Sequence, residues 1–464
     1  MRKLLNTSSS MMLLWLSLIL FSTDKLIAQE KPKKHLDHIH HYDDHVGPEN
    51  PLDTETDLEH SFPEHGAIFG KPHIGPYFKW KEDLYKNYGL KLGFSYSTMF
   101  TGNPLSHNMS AEHTSTTAGV GIYAFEAQWS VFNKGKDWEG SITAVLDGRH
   151  QYGHISPAVT PIANGSLNGT DATFFHWDRP YFTTLYWEQK GKKDRFWFRV
   201  GNFSSLMVLD FFRFKDGRTS FSNQGFTNPV ASLPIPAPSL AMAFNWKPIE
   251  GNSLYIAGSV QDNNLVAGEF DWGSVFRNGE VFTGLEIGKH WFRGEGDFDH
   301  AHLLVFHTDQ VSTSPLPTSS GWGFKVHGTK QWGKLVSFAN YTYNTAIGGT
   351  MGMATQADHA AAAGLVYLEP FNIKGEVGFG INYARMNPER VRQIRNPETD
   401  QEALISTIFP NVRDEGQWAA EVYWKMLVTP DLWITPGAQF IMNPTMNTNT
   451  DFIFAPTIKA RYFF

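Results

Sequence analysis

"IKARYFF", residues 458–464, decides the fold. At period two, Ile458, Ala460, Tyr462 and Phe464 fall on one face, and Thr457, Lys459, Arg461 and Phe463 on the other. One face is greasy and the other mostly wet. A soluble strand could bury that apolar face, so the alternation needs support from the rest of the chain.

The same pattern recurs upstream. In "GLKLGFSYSTMF" (residues 89–100), Leu90, Leu92, Phe94 and Tyr96 oppose Lys91, Gly93, Ser95 and Ser97. In "RFWFRVG" (195–201), Phe196, Phe198 and Val200 oppose Arg195, Trp197 and Arg199. In "KGEVGFGINYAR" (374–385), Val377, Phe379, Ile381 and Tyr383 oppose Glu376, Gly378, Gly380 and Asn382. "QWAAEVYWKM" (417–426) sets Trp418, Ala420, Val422 and Trp424 against Gln417, Ala419, Glu421 and Lys425.

Connection lengths add what alternation lacks. Short links fall near 133–137, 191–194, 248–252, 293–297, 333–334, 369–372 and 429–431. Longer ones fall near 103–116, 150–179, 204–238, 262–278, 310–320, 344–359, 386–416 and 442–451. Short and long alternate without a break, which predicts about 16 antiparallel strands with short periplasmic turns and long external loops. From Gly75 onward each strand and its connection has about 24 residues, suited to membrane-crossing strands of about 9–11 or slightly more. The expectation is an all-β transmembrane barrel whose last strand pairs with its first, leaving no open edge.

Composition agrees. Aromatics reach 14% and glycines number 41, yet mean hydropathy is only −0.32, which disfavours helical bundles. There is no cysteine, which excludes disulfides, thiol nucleophiles and a lipidated N-terminal Cys. Arg2 and Lys3 precede the apolar "MMLLWLSLILF" (11–21), and "LIAQ" offers cleavage near Ala28 or Gln29. Residues 1–29 therefore read as a signal peptide. Its removal takes away Arg2, Lys3, Lys25 and Asp24, moving the formal charge from −7 to −9. A net-acidic mature chain speaks against a nucleic-acid partner.

Residues 30–75 are polar, rich in His and acids, and without a period, so they read as a disordered leader. Within it, "HLDHIHHYDDH" carries His35, His38, His40, His41 and His45 beside Asp37, Asp43 and Asp44. Imidazole with carboxylate suits zinc or another divalent metal, held weakly by an unordered chain. A solvated low-complexity tail is the equal alternative. Residues 76–464 form the barrel domain. No Gly-x-Ser-x-Gly, His-Glu-x-x-His or phosphate-cradling loop occurs, so no enzyme and no catalytic residue is expected.

Several segments together resemble the carbohydrate-selective porin family of the OprB type. They are "GPYFKWKEDLYKNYGLKLGFSYSTMF" (75–100), "FWFRVGNFSSLMVLDFFRF" (196–214), "FSNQGFTNPVASLPIPAPSLAMAFNWKP" (221–248) and "SGWGFKVHGTKQW" (320–332). The most specific is "EVYWKMLVTPDLWITPGAQFIMNPTMNTNTD" (421–451), with Glu, Tyr-Trp, Leu-x-Thr-Pro, Pro-x-x-Gln and Asn-Pro in that order. The resemblance spans residues 75–464 and excludes the leader, which departs from the family. It implies a 16-stranded, monomeric pore admitting mono- or oligosaccharides into the periplasm across the outer membrane of a bacterium. The alternatives are a channel for other small solutes or metal complexes and, in a different class, a secreted β-rich carbohydrate-binding protein.

A pore needs loops folded into its bore and groups that suit its solute. Loops 150–179 and 204–238 are the candidates for the constriction. Asp147 and Arg149 lie at one strand's mouth, followed by Trp177, Asp178 and Arg179. Asp210, Arg213, Asp216 and Arg218 lie in the second loop among phenylalanines. Charged groups would bond sugar hydroxyls in pairs, and Trp177 could stack on a pyranose. Arg199, Lys325, Glu376 and Glu421 read as wall residues that keep the lumen wet. Phe464 is the expected signal to the outer-membrane assembly machinery; normal membrane levels after its deletion would dismiss that role.

Overall fold

The computed structural model describes residues 67–69, 75–102, 117–152, 155–169, 176, 179–192, 195–227, 229, 231–250, 252–263, 271–292, 298–349, 355–429 and 431–463. The signal peptide, the His-rich stretch, Trp177, Asp178 and Phe464 lie outside them. Helix α1 (Gly75–Tyr88) leads into β1 (Leu90–Gly102), β2 (Thr117–Phe132), β3 (Gly140–Gln151), β4 (Tyr181–Lys190) and β5 (Phe196–Phe203). Then come β6 (Ser239–Trp246), β7 (Leu254–Asp262), β8 (Val281–Phe292), β9 (Phe298–Thr308), β10 (Gly321–Trp332) and β11 (Leu335–Asn344). The last five are β12 (Ala357–Leu368), β13 (Gly375–Met386), β14 (Gln417–Thr429), β15 (Leu432–Met442) and β16 (Phe452–Phe463).

Each strand pairs with its sequence neighbours, and β1 pairs with β16 from Ser95↔Phe463 to Thr101↔Thr457, closing the barrel. Closure matters energetically because hydrocarbon offers no hydrogen bonds to an open edge. No described helix is long and apolar enough to cross a membrane; the strands supply the span.

The period-two reading holds on both faces. Ile458 is 50% exposed while its neighbours Lys459 and Arg461 are at 1% and 2%. Leu285, Ile287, Leu303, Val305, Phe379 and Ile381 form part of the same outward apolar belt. A belt of that kind on a soluble chain would be an aggregation hazard, and in a bilayer it is the required surface. This disfavours the secreted, soluble alternative.

The turns follow local chemistry. Gly333 and Lys334 alone join β10 to β11, and Gly333 takes φ 57°, the left-handed conformation that a tight hairpin demands. The segment 386–416, expected to be plain loop, contains α4 (Pro388–Arg395) and α5 (Asp400–Ile408). Asn387 caps α4 by accepting from Glu389 N, and Thr399 caps α5 by accepting from Glu402 N. Ile394 and Ile405 pack with Met386, Phe409 and Val412 beside Leu167 and Met446. Two shorter helices, α2 (Thr160–Asn164) and α3 (Ser274–Asn278), lie in the connections after β3 and β7.

Candidate functional site: an inward loop and its charged rim

The segment 204–238 between β5 and β6 runs through the barrel interior. Its apolar residues explain why. Val208, Leu209, Leu233 and Ile235 pack on Phe203, Tyr255, Phe282, Leu304 and Phe306 of the wall. Phe212, Phe214, Phe221 and Phe226 pack on Val336, Phe338, Val366 and Tyr423. Four buried phenylalanines contribute about 1.5–3 kcal/mol each, an upper bound that is still large for one loop.

Polar anchors fix the path between those contacts. Lys325 Nζ donates to Asp210 Oδ2 at 2.6 Å, and Asp210 N donates to Glu286 Oε2 at 2.6 Å. Asp210 itself sits at φ 58°, a conformation that aspartate tolerates better than most residues. Glu421 accepts from the amides of Ser222 (2.6 Å) and Asn223 (2.7 Å). Lys459 Nζ donates to Gly217 O at 2.9 Å and also to Ser220 O. Arg461 Nη1 donates to Asp216 Oδ2 at 2.8 Å.

These contacts correct one expectation. Arg199, Lys325, Glu376 and Glu421 do not wet the lumen. Arg199 donates to Glu188 at 2.6 Å with both side chains dry, and its guanidinium lies 4.3 Å from the Trp197 ring centre. Glu376 accepts from the Tyr423 hydroxyl at 2.6 Å. Lys325 and Glu421 hold the loop. Anchors separated by 115 and 199 residues in sequence left no mark that alternation could reveal.

The connection after β3 also turns inward. Leu167 N donates to Gln417 Oε1 at 2.9 Å, Asn447 Nδ2 to Asn164 O at 3.1 Å, and Gln224 N to Gly169 O at 2.7 Å. The last of these joins the two loops to each other. The described parts of both candidate constriction segments are therefore inside, and they touch.

The rim facing β1–β3 and β16 is charged. Arg149 Nη2 donates to Asp147 Oδ2 at 2.9 Å, with side-chain exposures of 11% and 10%. Arg218 Nε donates to Asp216 Oδ1 at 3.0 Å, and Arg218 keeps 21% of its side chain exposed. Register sets this rim: Ser95 pairs with Ala124, Ala124 with Asp147, and Ser97 with Arg461. Small inward side chains on β1 and β2 thus separate the charges on β3 and β16, leaving room for the loop.

The electrostatics follow from burial and partners. Burial alone would push the Asp216 carboxyl up, but Arg218 and Arg461 outweigh it and hold the group down at about 2. Burial would lower Arg218, whereas Asp216, Glu126 and Asp147 hold it above the ordinary range. Burial would raise Asp210, and Lys325 with His302 and Lys215 drives it well below the usual carboxylate range. Burial pulls the Lys215 ammonium down to about 8 against the attraction of Asp210 and Glu286. Lys215 Nζ donates to Leu206 O at 2.6 Å and Leu209 O at 2.8 Å.

Exposure sorts the sequence-derived candidates. Asp210 has a fully enclosed side chain and serves the loop. Arg213 is half-buried and donates to Gln331 Oε1 at 3.1 Å. Arg179 is exposed beyond the rim. Asp147, Arg149 and Arg218 come together with Asp216 of the same loop cluster and with Arg461, which sequence reasoning read as facing inward but did not weigh as a site residue. Arg461 sits in an alternating stretch that was read, so period two was the available signal, but not its pairing with Asp216. His35, His38, His40, His41 and His45 lie outside the described residues, and among those described no three His, Asp or Glu converge as a metal site would need.

Residues 323–458 match the family model described as carbohydrate-selective porin, OprB family. Among solved structures, the high-pH form of Pseudomonas putida OprB is similar with a TM-score of 0.65 at 15% identity, covering 86% of this chain and 99% of that one. Its low-pH form gives 0.49 at 12% identity, over 86% and 100%. A triple mutant of the Rhodopseudomonas blastica porin gives 0.47 at 7% identity, over 81% and 100%. No curated protein sequence matches the chain. At such identities the structural likeness speaks for the fold alone, and the sequence-family match covers residues 323–458. The closed sixteen-strand barrel carries the outward apolar belt of a bacterial outer-membrane porin, and over residues 323–458 the chain is similar to the carbohydrate-selective porin, OprB family.

Proposed function

We propose that this outer-membrane carbohydrate porin passes its saccharides between the β3 pair Asp147–Arg149 and the loop pair Asp216–Arg218. One observation carries the proposal. Of the charged loop groups, Arg218 reaches solvent beside a wall ion pair that is itself partly exposed, while Asp210 is sealed in. Guanidinium and carboxylate side by side offer donors and acceptors in the paired arrangement that vicinal hydroxyls require. A neutral solute meets no net charge there, and its hydrogen bonds to water are exchanged for bonds to the rim. The chain acts as a passive, monomeric channel with no covalent step.

Current block by glucose and maltose in a planar bilayer tests the assignment. Arg218→Ala and Arg149→Ala should each weaken block about tenfold, the loss of one charge-assisted hydrogen bond of roughly 1.5 kcal/mol. Unchanged block in both variants refutes the rim as the sugar contact. The channel reading itself falls if the native protein conducts no ions.

A further inference from the structure

Beneath the inward loop, β8, β9 and β10 carry His290, His300, His302 and His327, all buried on the inner wall. Their rings form a file. His290 and His300 have centres 4.3 Å apart and planes at 16°; His300 and His302 are 5.0 Å apart, and His302 and His327 are 5.0 Å apart at 16°. The outer two pairs are stacked, and the middle pair is tilted by 47°. Among the described residues no metal-type convergence occurs there.

The file touches the loop at two points. His302 Nε2 lies 3.2 Å from Asp210 Oδ1, and the Phe212 ring covers His327 with centres 4.6 Å apart. Behind them the Tyr255 hydroxyl donates to Glu286 at 2.6 Å and lies 2.9 Å from His300 Nε2. The Nδ1 atoms of His302 and His327 are buried without a hydrogen-bond partner.

The carboxylates around the file are already engaged. Asp210 on the loop pairs with Lys325 on β10 at 2.6 Å, and Glu286 on β8 accepts from Asp210 N and from the Tyr255 hydroxyl on β7, both at 2.6 Å. A proton taken up by the file therefore joins the side chains of Lys325 and Lys215 in the same buried space. A second would sit about 5 Å from the first, in a space closed to water. The nearest relief is for Asp210 and Phe212 to leave, because among the described residues around the file the loop is the wall that is not a strand in the closed sheet.

We infer that the histidine file is a proton-sensitive latch on the inward loop, holding it seated at neutral pH and releasing its 205–214 portion in acid. This rests on the reading of that loop as the constriction, and it assigns the loop a regulated state. The tests use the full chain in a bilayer and in detergent. Between about pH 7.5 and about pH 5, native current should pass from one steady level to stepping between two. His300→Asn with His327→Asn should keep the neutral-pH current and lose the stepping. Amide exchange of residues 205–214 in the unmodified protein should accelerate at least about tenfold beyond the intrinsic rate change at the acid end. A native current steady at both pH values, stepping that survives the double substitution, or unchanged exchange overturns the latch. Sugar block at neutral pH is a separate readout, so loss of the latch and loss of the proposed sugar contact are told apart.

Discussion

Asp216→Asn should detach the loop without opening the barrel. The carboxylate accepts from the Arg218 amide and Nε, both at 3.0 Å, and from Arg461 at 2.8 Å. Its pKa is held at about 2, against about 3.9 in an unfolded chain, and that difference corresponds to about 2.6 kcal/mol. Asparagine preserves shape and removes the charge, leaving Arg461, 2% exposed, without its counter-ion. A loss near 2.6 kcal/mol multiplies the unseated population by about 80. Single-channel recording at neutral pH should show the variant spending far more time at a higher conductance level than the native protein. The sign of the pH effect is fixed as well. A depressed carboxylate stabilises above its unfolded pKa and loses that contribution as pH falls through the folded one. Lowering pH from about 5 to about 2 should therefore bring the native channel towards the variant's behaviour, and the variant should lack the part of that response that belongs to Asp216. A variant that matches the native protein in level, dwell time and sugar block at neutral pH refutes the anchoring argument.

Gly148→Val would place a Cβ 1.9 Å from Cζ of Tyr123, driving that ring off its seat. Overpacking of that kind costs about 1–3 kcal/mol, readable as a lower unfolding midpoint of the folded band on heated gels; an unchanged midpoint contradicts the close packing. For the leader, a peptide of residues 30–65 titrated with zinc should take up metal in the micromolar range, with proton release as imidazoles are deprotonated. No heat and no proton release in calorimetry would leave the stretch a solvated tail.

The barrel was legible because lipid outside and polar groups inside impose opposite demands on alternate residues. "RFWFRVG" and "IKARYFF" carry that contrast undiluted. Connection lengths added the topology, and the loop limits 204 and 238 coincide with the ends of β5 and β6. The helices after β13 were missed although their signals stand in the sequence: Asn387-Pro388 opens one, and Thr399 with Glu402 three residues later opens the other. The interior was less legible for a physical reason. Arg461 reads as inward from its neighbours, but nothing local says that Asp216 will meet it. A wetted wall and a salt-bridged wall demand the same residue types, and only the path of the loop separates them. Two of the four histidines, His300 and His302, stand at alternate positions in "DHAHLLV" (299–305) without any sign that His290 and His327 would extend the file.

The anchors of the inward loop impose an order on biogenesis. Ser222 and Asn223 wait for Glu421, and Asp216 waits for Arg461, which lies 245 residues downstream. Contacts at such separation are slow to form, and until they do, the loop's carboxylates and amides lack their final partners. The narrow passage therefore cannot exist before the sheet has zipped shut: the strand that seals the wall also delivers Arg461, the group that seats the sieve.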